Sequence, residues 1–460
     1  MDRTLRRGWH AVALLGALYI VAAVDRLILG LLVEPLRHDL NIGDTEMSLL
    51  MGAAFAIFSS VVGLPLGRLA DVGNRKRLIV ASALVWGACT LGSGLVSSFW
   101  PLCGLRIGVA IGEAALTPAS FSLISDLFPP ERRGRATSVY MALGTLGATG
   151  AYVVGGLAVN AAAGLHVTLP LVGLLRPWQL VFIAVGAPAV IFAVLIALGI
   201  REPARREPPA RPAPALTFAW IRPPYAPVFL LFIAGAVGQV IVYGLGGWAP
   251  TYLIRQFHWQ AGAAGIAIGL ASMSVGVSGI VIAPRIAEAW MRRGRADAPV
   301  LVLAGGLLLG CPLVIVAALA PTAWSFLGFF AAGMIFIMGT GVMPFICVPW
   351  AIPPRLQGEY MAACGLGASL TGLALGPTAV VLAARALPGD SAAHLGQGIA
   401  LVAAVCGPLS AILVLALRGP MRRLLAAPTD EPSTTASSNS PAAANAQTPA
   451  GVGATAARRG

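Results

Sequence analysis

Apolar runs of about 20 residues alternate with short polar segments along most of the chain, and twelve such runs can be counted. A run of this length is what an α-helix needs to cross the hydrocarbon core of a bilayer. Unpaired backbone groups cannot face lipid, so these runs must be helical despite their many Gly and Pro residues. The pattern predicts an all-α polytopic membrane protein with 12 transmembrane helices. The predicted spans are Trp9–Val33, Thr45–Leu66, Leu78–Val96, Phe99–Leu123, Ala136–Val159, Trp178–Ile200, Ala226–Ile254, Ala261–Ala283, Pro299–Leu319, Thr322–Val348, Tyr360–Ala384 and Gly396–Leu417.

The composition excludes a soluble globular protein. Of the 460 residues, 57% are hydrophobic and only 11% are charged, and the mean hydropathy is +0.83. An average soluble domain carries about 25% charged residues. The six Cys residues are scattered, and no CxxC pair or Cys/His cluster occurs. We therefore expect no disulfide framework, no metal and no cofactor.

The distribution of basic residues predicts the orientation in the membrane. With the N-terminus placed inside, 23 of the 31 Lys and Arg residues fall on the cytoplasmic side and only four fall outside. Cytoplasmic loops of membrane proteins carry such an excess of basic residues, so both termini are expected in the cytoplasm. The same distribution explains the net charge of +13, so no nucleic-acid binding is inferred from it. The expected partner of the protein surface is the lipid bilayer.

Two segments differ in composition from the apolar spans. Residues 201–225 are rich in Pro and Arg and are predicted to be a cytoplasmic linker. They separate a six-helix bundle at residues 1–200 from a second one at residues 226–420. Residues 421–460 consist mostly of Ala, Pro, Ser, Thr and Asn, a composition typical of a disordered tail.

The two predicted bundles carry matching loop sequences. Residues 67–76 read GRLADVGNRK, and residues 284–293 read PRIAEAWMRR at an offset of 217. A second match joins residues 129–134 to residues 353–358, where two Pro residues precede a Gly at an offset of 224. Basic loops can resemble each other by chance, but two matches in order favour gene duplication. Duplication predicts a pseudo-symmetric pair of bundles with a cavity between them.

The first of these loops resembles motif A of the major facilitator superfamily. The resemblance rests on Gly67, Asp71 and Arg75, and the loop departs from the usual pattern at Val72 and Asn74. It implies the major facilitator fold and transport by alternating access. In that family the loop acts as a conformational latch, with the Gly allowing close approach of the other half. Asp71 and Arg75 are four residues apart, a spacing that suits a local ion pair on a helix.

Within this superfamily, the chain is most similar to the spinster-like transporters. Three segments carry the resemblance: Asp25-Arg26, the RIGVAIGEA segment at residues 106–114 that runs on to Asp126-Leu127-Phe128, and WAPTYL at residues 248–253. The family implies transport that is often coupled to protons, with lipid-like or amphipathic substrates among its eukaryotic members. The bacterial relatives are diverse, so the resemblance names no substrate for this chain.

Four charged residues lie well inside predicted spans, away from the span ends: Asp25, Arg26, Arg106 and Glu113. Each costs about 2.5–3.5 kcal/mol to insert at the centre of a membrane, so such residues are paired and face the interior. Arg106 and Glu113 share a face of one helix but lie two turns apart. We therefore expect Glu113 to meet Arg26 from the first span, while Asp25 and Arg106 find other partners or water. Static ion pairs that only fix helix packing are the alternative.

The chemistry of these groups suggests roles for them. A carboxylate that gains and loses contact with a guanidinium can take up and release a proton, and Glu113 is the predicted proton-coupling residue, with Asp25 as runner-up. Arg26 and Arg106 are predicted to form the ion-pair side of a substrate cavity. Gln239 and Tyr243 are mid-span and four residues apart, so they share a face and are the predicted substrate contacts. A cavity with charged residues on one wall and a mostly apolar opposite wall suits an amphipathic molecule or an organic anion.

Other classes of function fit the sequence less well. The five His residues all fall at or outside span ends, which disfavours a membrane enzyme, and no GxxxxGK[ST] loop indicates an ATP-driven pump. A non-transporting sensor stays open. The sequence therefore predicts a secondary transporter with no catalytic site, whose partners are a small molecule and protons, with drug or metabolite efflux by proton antiport as the alternative. The high Arg, Ala and Gly content is typical of GC-rich bacteria, so we expect the protein in a bacterial inner membrane. We expect it to be a monomer.

Overall fold

The computed structural model describes residues 3–170, 173–205, 225–352, 357, 360–361, 365–389 and 393–426. Within these residues, eleven helices are long and apolar enough to cross a membrane. With the helix Arg75–Ser93 they are numbered in chain order as follows: α1 Leu5–Leu31, α2 Asp44–Val72, α3 Arg75–Ser93, α4 Phe99–Leu127, α5 Pro130–Ala162, α6 Pro177–Gly199, α7 Ala226–Phe257, α8 Ala261–Arg292, α9 Ala298–Ala318, α10 Ala323–Ala351, α11 Gly365–Arg385 and α12 Leu395–Ala416.

This order confirms the predicted all-α fold, and each predicted span corresponds to one helix. The third span is α3, whose first turn carries three basic residues before its apolar run begins at Leu78. The described connections add two features that the sequence did not predict. A short helix, Val33–Leu40, lies between α1 and α2. Strands β1 (Val167–Leu169) and β2 (Gly173–Leu175) pair antiparallel between α5 and α6, with Thr168 opposite Leu174.

Two helices at equivalent places in the repeat are interrupted. The helical pattern of α4 breaks between Glu113 and Leu116, and that of α10 breaks between Thr340 and Met343. Single π-helical segments also occur in α2, at Leu49–Ala53, and in α11. Irregular turns inside helices are frequent at functional sites, and the two π-helical segments here contact each other.

The helices pack mainly within their own set of six. In the first set α1 packs on α5 and α6, and α3 packs on α6; in the second set α9 packs on α10 and α12, and α8 packs on α10. Close approach is possible where Gly faces a neighbouring helix. A Cβ atom on Gly112 of α4, for example, would lie 2.7 Å from the Cβ atom of Trp86 in α3.

The two sets of helices meet tightly at one end of the bundle, which we call the closed end. There α1 contacts α7, α2 contacts α11, and α5 contacts α8. A Cβ atom on Gly156 would lie 2.5 Å from the carbonyl oxygen of Gly262, and one on Gly52 would lie 2.2 Å from the carbonyl oxygen of Leu373. The opposite end carries the turn between α2 and α3 and is called the turn end. At Gly63 and Gly67, further along α2, no described atom lies within 4 Å of the Cβ position.

A short helix, Arg418–Ala426, follows α12 and packs beneath the second set at the turn end. It extends beyond residue 420, where the sequence predicted the tail to begin. The rest of that predicted tail, residues 427–460, lies outside the described residues. Most of the predicted linker, residues 206–224, also lies outside them, so both assignments stay predictions.

The contact at Gly52 predicts that the closed end tolerates no added side chain. We expect Gly52→Ala to lower the melting temperature of the purified protein, because the methyl group meets a backbone carbonyl that cannot move aside. Overpacking of this kind costs about 1–3 kcal/mol. The matched control is Gly63→Ala on the same helix, where the Cβ site is open. Equal melting temperatures for the two variants, followed by tryptophan fluorescence, would contradict this packing.

Candidate functional site

A cavity of about 320 Å³ lies between the two sets of helices, next to the closed end. It is lined by residues of α1, α2, α5, α7, α8, α10 and α11. Most of the lining is apolar and includes three Met residues and Phe330. Its polar side chains are Arg26, Thr149, Tyr152, Gln239, Tyr243 and Ser272. The predicted substrate contacts Gln239 and Tyr243 are thus both on the cavity wall.

Arg26 is the one charged residue among the described residues that line this cavity. Its Nη2 atom donates a hydrogen bond to Oε2 of Glu113 at 2.7 Å, which joins α1 to α4. The Arg26 side chain is 36% exposed, whereas that of Glu113 is 2% exposed. The Arg26 guanidinium also lies over the ring of Phe55, 4.7 Å from its centroid, a favourable cation–π geometry. Glu113 therefore lies behind Arg26 as seen from the cavity.

A second ion pair lies deeper in the first set of helices. Nη1 of Arg106 donates to Oδ1 of Asp25 at 2.7 Å, and its Nη2 donates to the Asp25 backbone carbonyl at 3.3 Å. Thr90 of α3 donates its hydroxyl to the same carboxylate. All three side chains are buried. The sequence left the partners of Asp25 and Arg106 open, and the structure joins the two to each other. No local pattern marked Thr90 as their partner.

The two pairs differ in what they leave unbonded. Oε1 of Glu113 and Nε of Arg26 are buried and make no hydrogen bond with any described residue. Both Asp25 oxygens accept hydrogen bonds from side chains. The Asp25–Arg106 pair leaves only a donor unbonded, Nε of Arg106, while the pair at the cavity wall leaves both an acceptor and a donor unbonded. Chemically, Glu113 can accept a proton at Oε1 without losing its contact to Arg26.

The motif A residues do not form the pair that their spacing suggested. Asp71 is exposed and has no ion pair with a described residue. Arg75 is buried, and its Nε donates to Glu202 at 2.7 Å while its Nη1 bonds Asp126 of α4. The physical reason is that α2 ends at Val72 and α3 begins at Arg75, so the two residues do not lie on one continuous helix.

The matching loop of the second set does form its local pair. There α8 continues through the repeat, and Glu288 and Arg292 are four residues apart on one helix with a separation of 3.8 Å. Gly67, the third residue of the predicted latch, has no described atom within 4 Å of its Cβ position. In this conformation the loop therefore makes its contacts within the first set, among the described residues.

The sequence missed an ion-pair cluster at the closed end. Arg255 of α7 donates from Nε to Glu34 at 2.7 Å, and its two Nη atoms hold both oxygens of Asp44 at 2.7 and 3.0 Å. Glu34 lies in the short helix Val33–Leu40 between α1 and α2, and Asp44 begins α2, so this cluster joins the two sets of helices. Arg255 had been counted only as one of four outer basic residues, and no sequence pattern showed that it meets two carboxylates.

Tyr152 is a second residue that the sequence did not single out. Its hydroxyl donates to the Gly246 carbonyl at 2.6 Å, joining α5 to α7 on the cavity wall. Thr251 makes a similar contact, donating to the Gly30 carbonyl at 3.3 Å. Among the described residues, no group of His, Cys, Asp or Glu is arranged to hold a metal ion.

The depth of the Asp25–Arg106 pair predicts unequal costs of removing the two arginines. Removing one partner of a buried pair leaves an uncompensated charge and costs about 3–5 kcal/mol. We expect Arg106→Gln to lower the melting temperature strongly, Arg26→Gln to lower it less, and Asp25→Asn to recover part of the loss when combined with Arg106→Gln. Thermal melts of Arg26→Gln, Arg106→Gln, Asp25→Asn and the double variant measure this coupling. Additive losses in the double variant would show that the two residues do not interact.

Comparison with known proteins agrees with this architecture. Residues 15–377 match the sequence model of the Major Facilitator Superfamily. An MFS-type efflux pump of Mycolicibacterium smegmatis is 32% identical over 288 residues, which are 62% of this chain and 63% of the pump. Human protein spinster homolog 1 is 27% identical over 330 residues, 66% of this chain and 58% of that protein. The chain thus spans about three fifths of the length of these relatives.

A solved structure shows the same fold. A bacterial homolog of the human lysosomal transporter Spinster, crystallised in an inward-facing and occupied conformation, superposes with a TM-score of 0.75 at 23% identity. The match covers 92% of this chain and 97% of that one. The predicted similarity to spinster proteins is confirmed by these relatives. The chain belongs to the major facilitator superfamily.

Proposed function

We propose that this protein is a proton-coupled secondary transporter of an amphipathic molecule or organic anion. The observation that carries the proposal is the Arg26–Glu113 pair, in which a cation on the cavity wall covers a buried carboxylate. A substrate anion that binds Arg26 competes with Glu113 for the same guanidinium. A carboxylate left without its partner in a dry environment is neutralised by taking up a proton, and substrate and proton movements are coupled in this way.

Asp25 is the less suitable of the two carboxylates for carrying the proton. Its oxygens are held by Arg106 and Thr90, and its side chain is fully buried. Protonation there removes the charge that pairs with buried Arg106 and requires the Thr90 hydroxyl to change from donor to acceptor. We therefore assign the proton to Glu113 and a structural role to the Asp25–Arg106 pair.

Alternating access requires the two sets of helices to separate at the closed end. The Arg255 cluster then has to open, and water can replace its bonds because Glu34 and Arg255 are partly exposed. At the turn end we propose that the motif A loop closes against the second set, with Gly67 permitting the approach. The excess of basic residues at this end supports a cytoplasmic location for it. This conformation is then the inward-facing state in a bacterial inner membrane.

The residues that line the cavity support the proposed class of substrate, and they are compatible with either uptake or efflux. One cation beside three Met residues, Phe330 and two Tyr residues suits a molecule with an anionic or polar head and an apolar body. Efflux by proton antiport is the second candidate. It is favoured by two relatives, the efflux pump of Mycolicibacterium smegmatis and a quinolone resistance transporter of Acinetobacter baumannii that is 26% identical over 294 residues.

A ligand screen tests the substrate class. Purified protein is heated with lysolipids, fatty acids, aromatic acids and common drugs, and the shift in melting temperature is recorded. We expect anionic amphipaths to give the largest shifts, and Gln239→Leu or Tyr243→Phe to reduce them, because both side chains face the cavity. Trp324→Phe is the matched control, since Trp324 is exposed and does not line the cavity. Shifts from cations only would contradict the assignment.

Transport in proteoliposomes tests proton coupling, with the ligand of largest shift as the probe. One pH unit across the membrane is worth about 1.4 kcal/mol per proton and supports about tenfold accumulation. We expect Glu113→Gln to lose this pH-driven accumulation while keeping exchange of labelled for unlabelled probe, which needs no net proton movement.

The control for this experiment is Glu288→Gln, which removes an exposed carboxylate at the turn end and is expected to leave accumulation intact. Full pH-driven accumulation by Glu113→Gln would overturn the assignment to Glu113. If Asp25→Asn alone then lost accumulation but kept exchange, Asp25 would be the coupling residue.

A further inference from the structure

The second set of helices presents an arginine-rich surface at the turn end. Two segments form it: residues 285–297, which end α8 and lead to α9, and the short helix Arg418–Ala426. Together they hold two acidic residues, Glu288 and Asp297. Their seven arginines are Arg285, Arg292, Arg293, Arg295, Arg418, Arg422 and Arg423.

One ion pair joins the two segments into a single surface. Nε of Arg418 donates to Oδ2 of Asp297 at 2.6 Å. Burial tends to raise the pKa of Asp297, but the hydrogen bond and charge of Arg418 outweigh it and hold this pKa below its usual range. Met421 is fully buried against the second set of helices. The short helix is therefore held beside the α8–α9 turn, with Arg422 and Arg423 exposed.

Five of these arginines make no ion pair with any described residue: Arg285, Arg293, Arg295, Arg422 and Arg423. All five are exposed. The pair of Arg292 with Glu288 is long and exposed, with Arg292 at 72%, and such pairs contribute little. Most of the positive charge therefore faces outward.

The first set of helices has carboxylates among its arginines at the same end. Arg75 is buried between Asp126 and Glu202. Exposed arginines are present there too, but they lie near acidic residues, as Arg132 does beside Glu131. Membrane orientation explains basic residues on both halves. The second set is distinguished by its seven arginines with only two acidic residues in the same two segments.

The surface also lies at the depth of lipid headgroups. At 1.5 Å per residue, the 32 residues of α8 extend about 48 Å, which exceeds the hydrocarbon core of about 30 Å. The last turns of α8 therefore emerge at the membrane surface. Trp290 lies there, with the Arg295 guanidinium 5.3 Å from its ring centroid. The short helix is amphipathic, with Leu424 and Leu425 packed inward and its basic residues outward.

We propose that this surface binds the headgroups of acidic phospholipids in the adjacent leaflet. Guanidinium groups match phosphate oxygens in geometry and charge. A cluster of basic residues on an amphipathic helix beside a membrane span is the arrangement that attracts anionic lipid. The bound lipids hold the second set of helices at the membrane surface, independently of the ligand in the central cavity.

Native mass spectrometry of delipidated protein tests the proposal. The probes are dihexanoyl phosphatidylglycerol, phosphatidylcholine with the same chains, and inorganic phosphate. We expect the wild-type chain to bind phosphatidylglycerol more tightly than phosphatidylcholine. The variant R293Q/R295Q/R422Q/R423Q should bind phosphatidylglycerol at least about tenfold more weakly than the wild type. Binding of phosphatidylcholine should be the same for this variant and the wild type. The preference should also decrease as salt is added.

Two variants make the result specific. R6Q/R68Q/R77Q/R132Q removes four exposed charges from the first set of helices and should bind as the wild type does. R293K/R295K/R422K/R423K keeps the charge and should retain most of the binding, which shows that substitution at these positions does not unfold the surface. An equal loss in the first of these variants, equal binding of the two lipids, or equal binding of phosphate alone would overturn the proposal.

Discussion

A charge in the middle of a bilayer must meet an opposite charge, and this requirement governs how α1 lies against α4. Four charges are involved, and the structure resolves them into two pairs that both join these helices. Because Asp25 and Arg26 are adjacent, they point in directions about 100° apart. One pair consequently lies in the core and the other reaches the cavity wall. A single dipeptide thus supplies both a fixed contact and one that a ligand can reach.

The two halves, which the sequence predicts to be duplicates, differ chemically. Among the described residues, the first half supplies the charges around the middle of the molecule, while the second supplies Gln239, Tyr243 and two Met residues to the cavity. A cavity with a charged wall facing an apolar wall favours amphipathic molecules. The halves differ at the turn end as well, where Arg75 is buried and its counterpart Arg292 is exposed.

The closed end combines two kinds of contact that respond differently to water. Gly residues bring backbones together so closely that no side chain fits between them, as at Gly52 and Gly156. Around them, Arg255 holds Glu34 and Asp44 through bonds that water can replace. The proposed separation of the two halves therefore has to replace these ion pairs and also the bonds of Tyr152 and Thr251 to the facing backbone.

Sequence alone predicts the helical fold, because apolar runs of this length satisfy their backbone groups in lipid as helices. It also marks the four charges within the spans, because a charge is costly there. It also placed Gln239 and Tyr243 on one helix face. Tertiary structure decided the partners: Thr90 at Asp25, Glu202 and Asp126 at Arg75, and Asp44 at Arg255. Helical periodicity gives the direction of a side chain but not the neighbour it meets, because that neighbour comes from a distant part of the chain. The break between α2 and α3 shows the same limit, since a spacing of four makes a pair only where the helix continues.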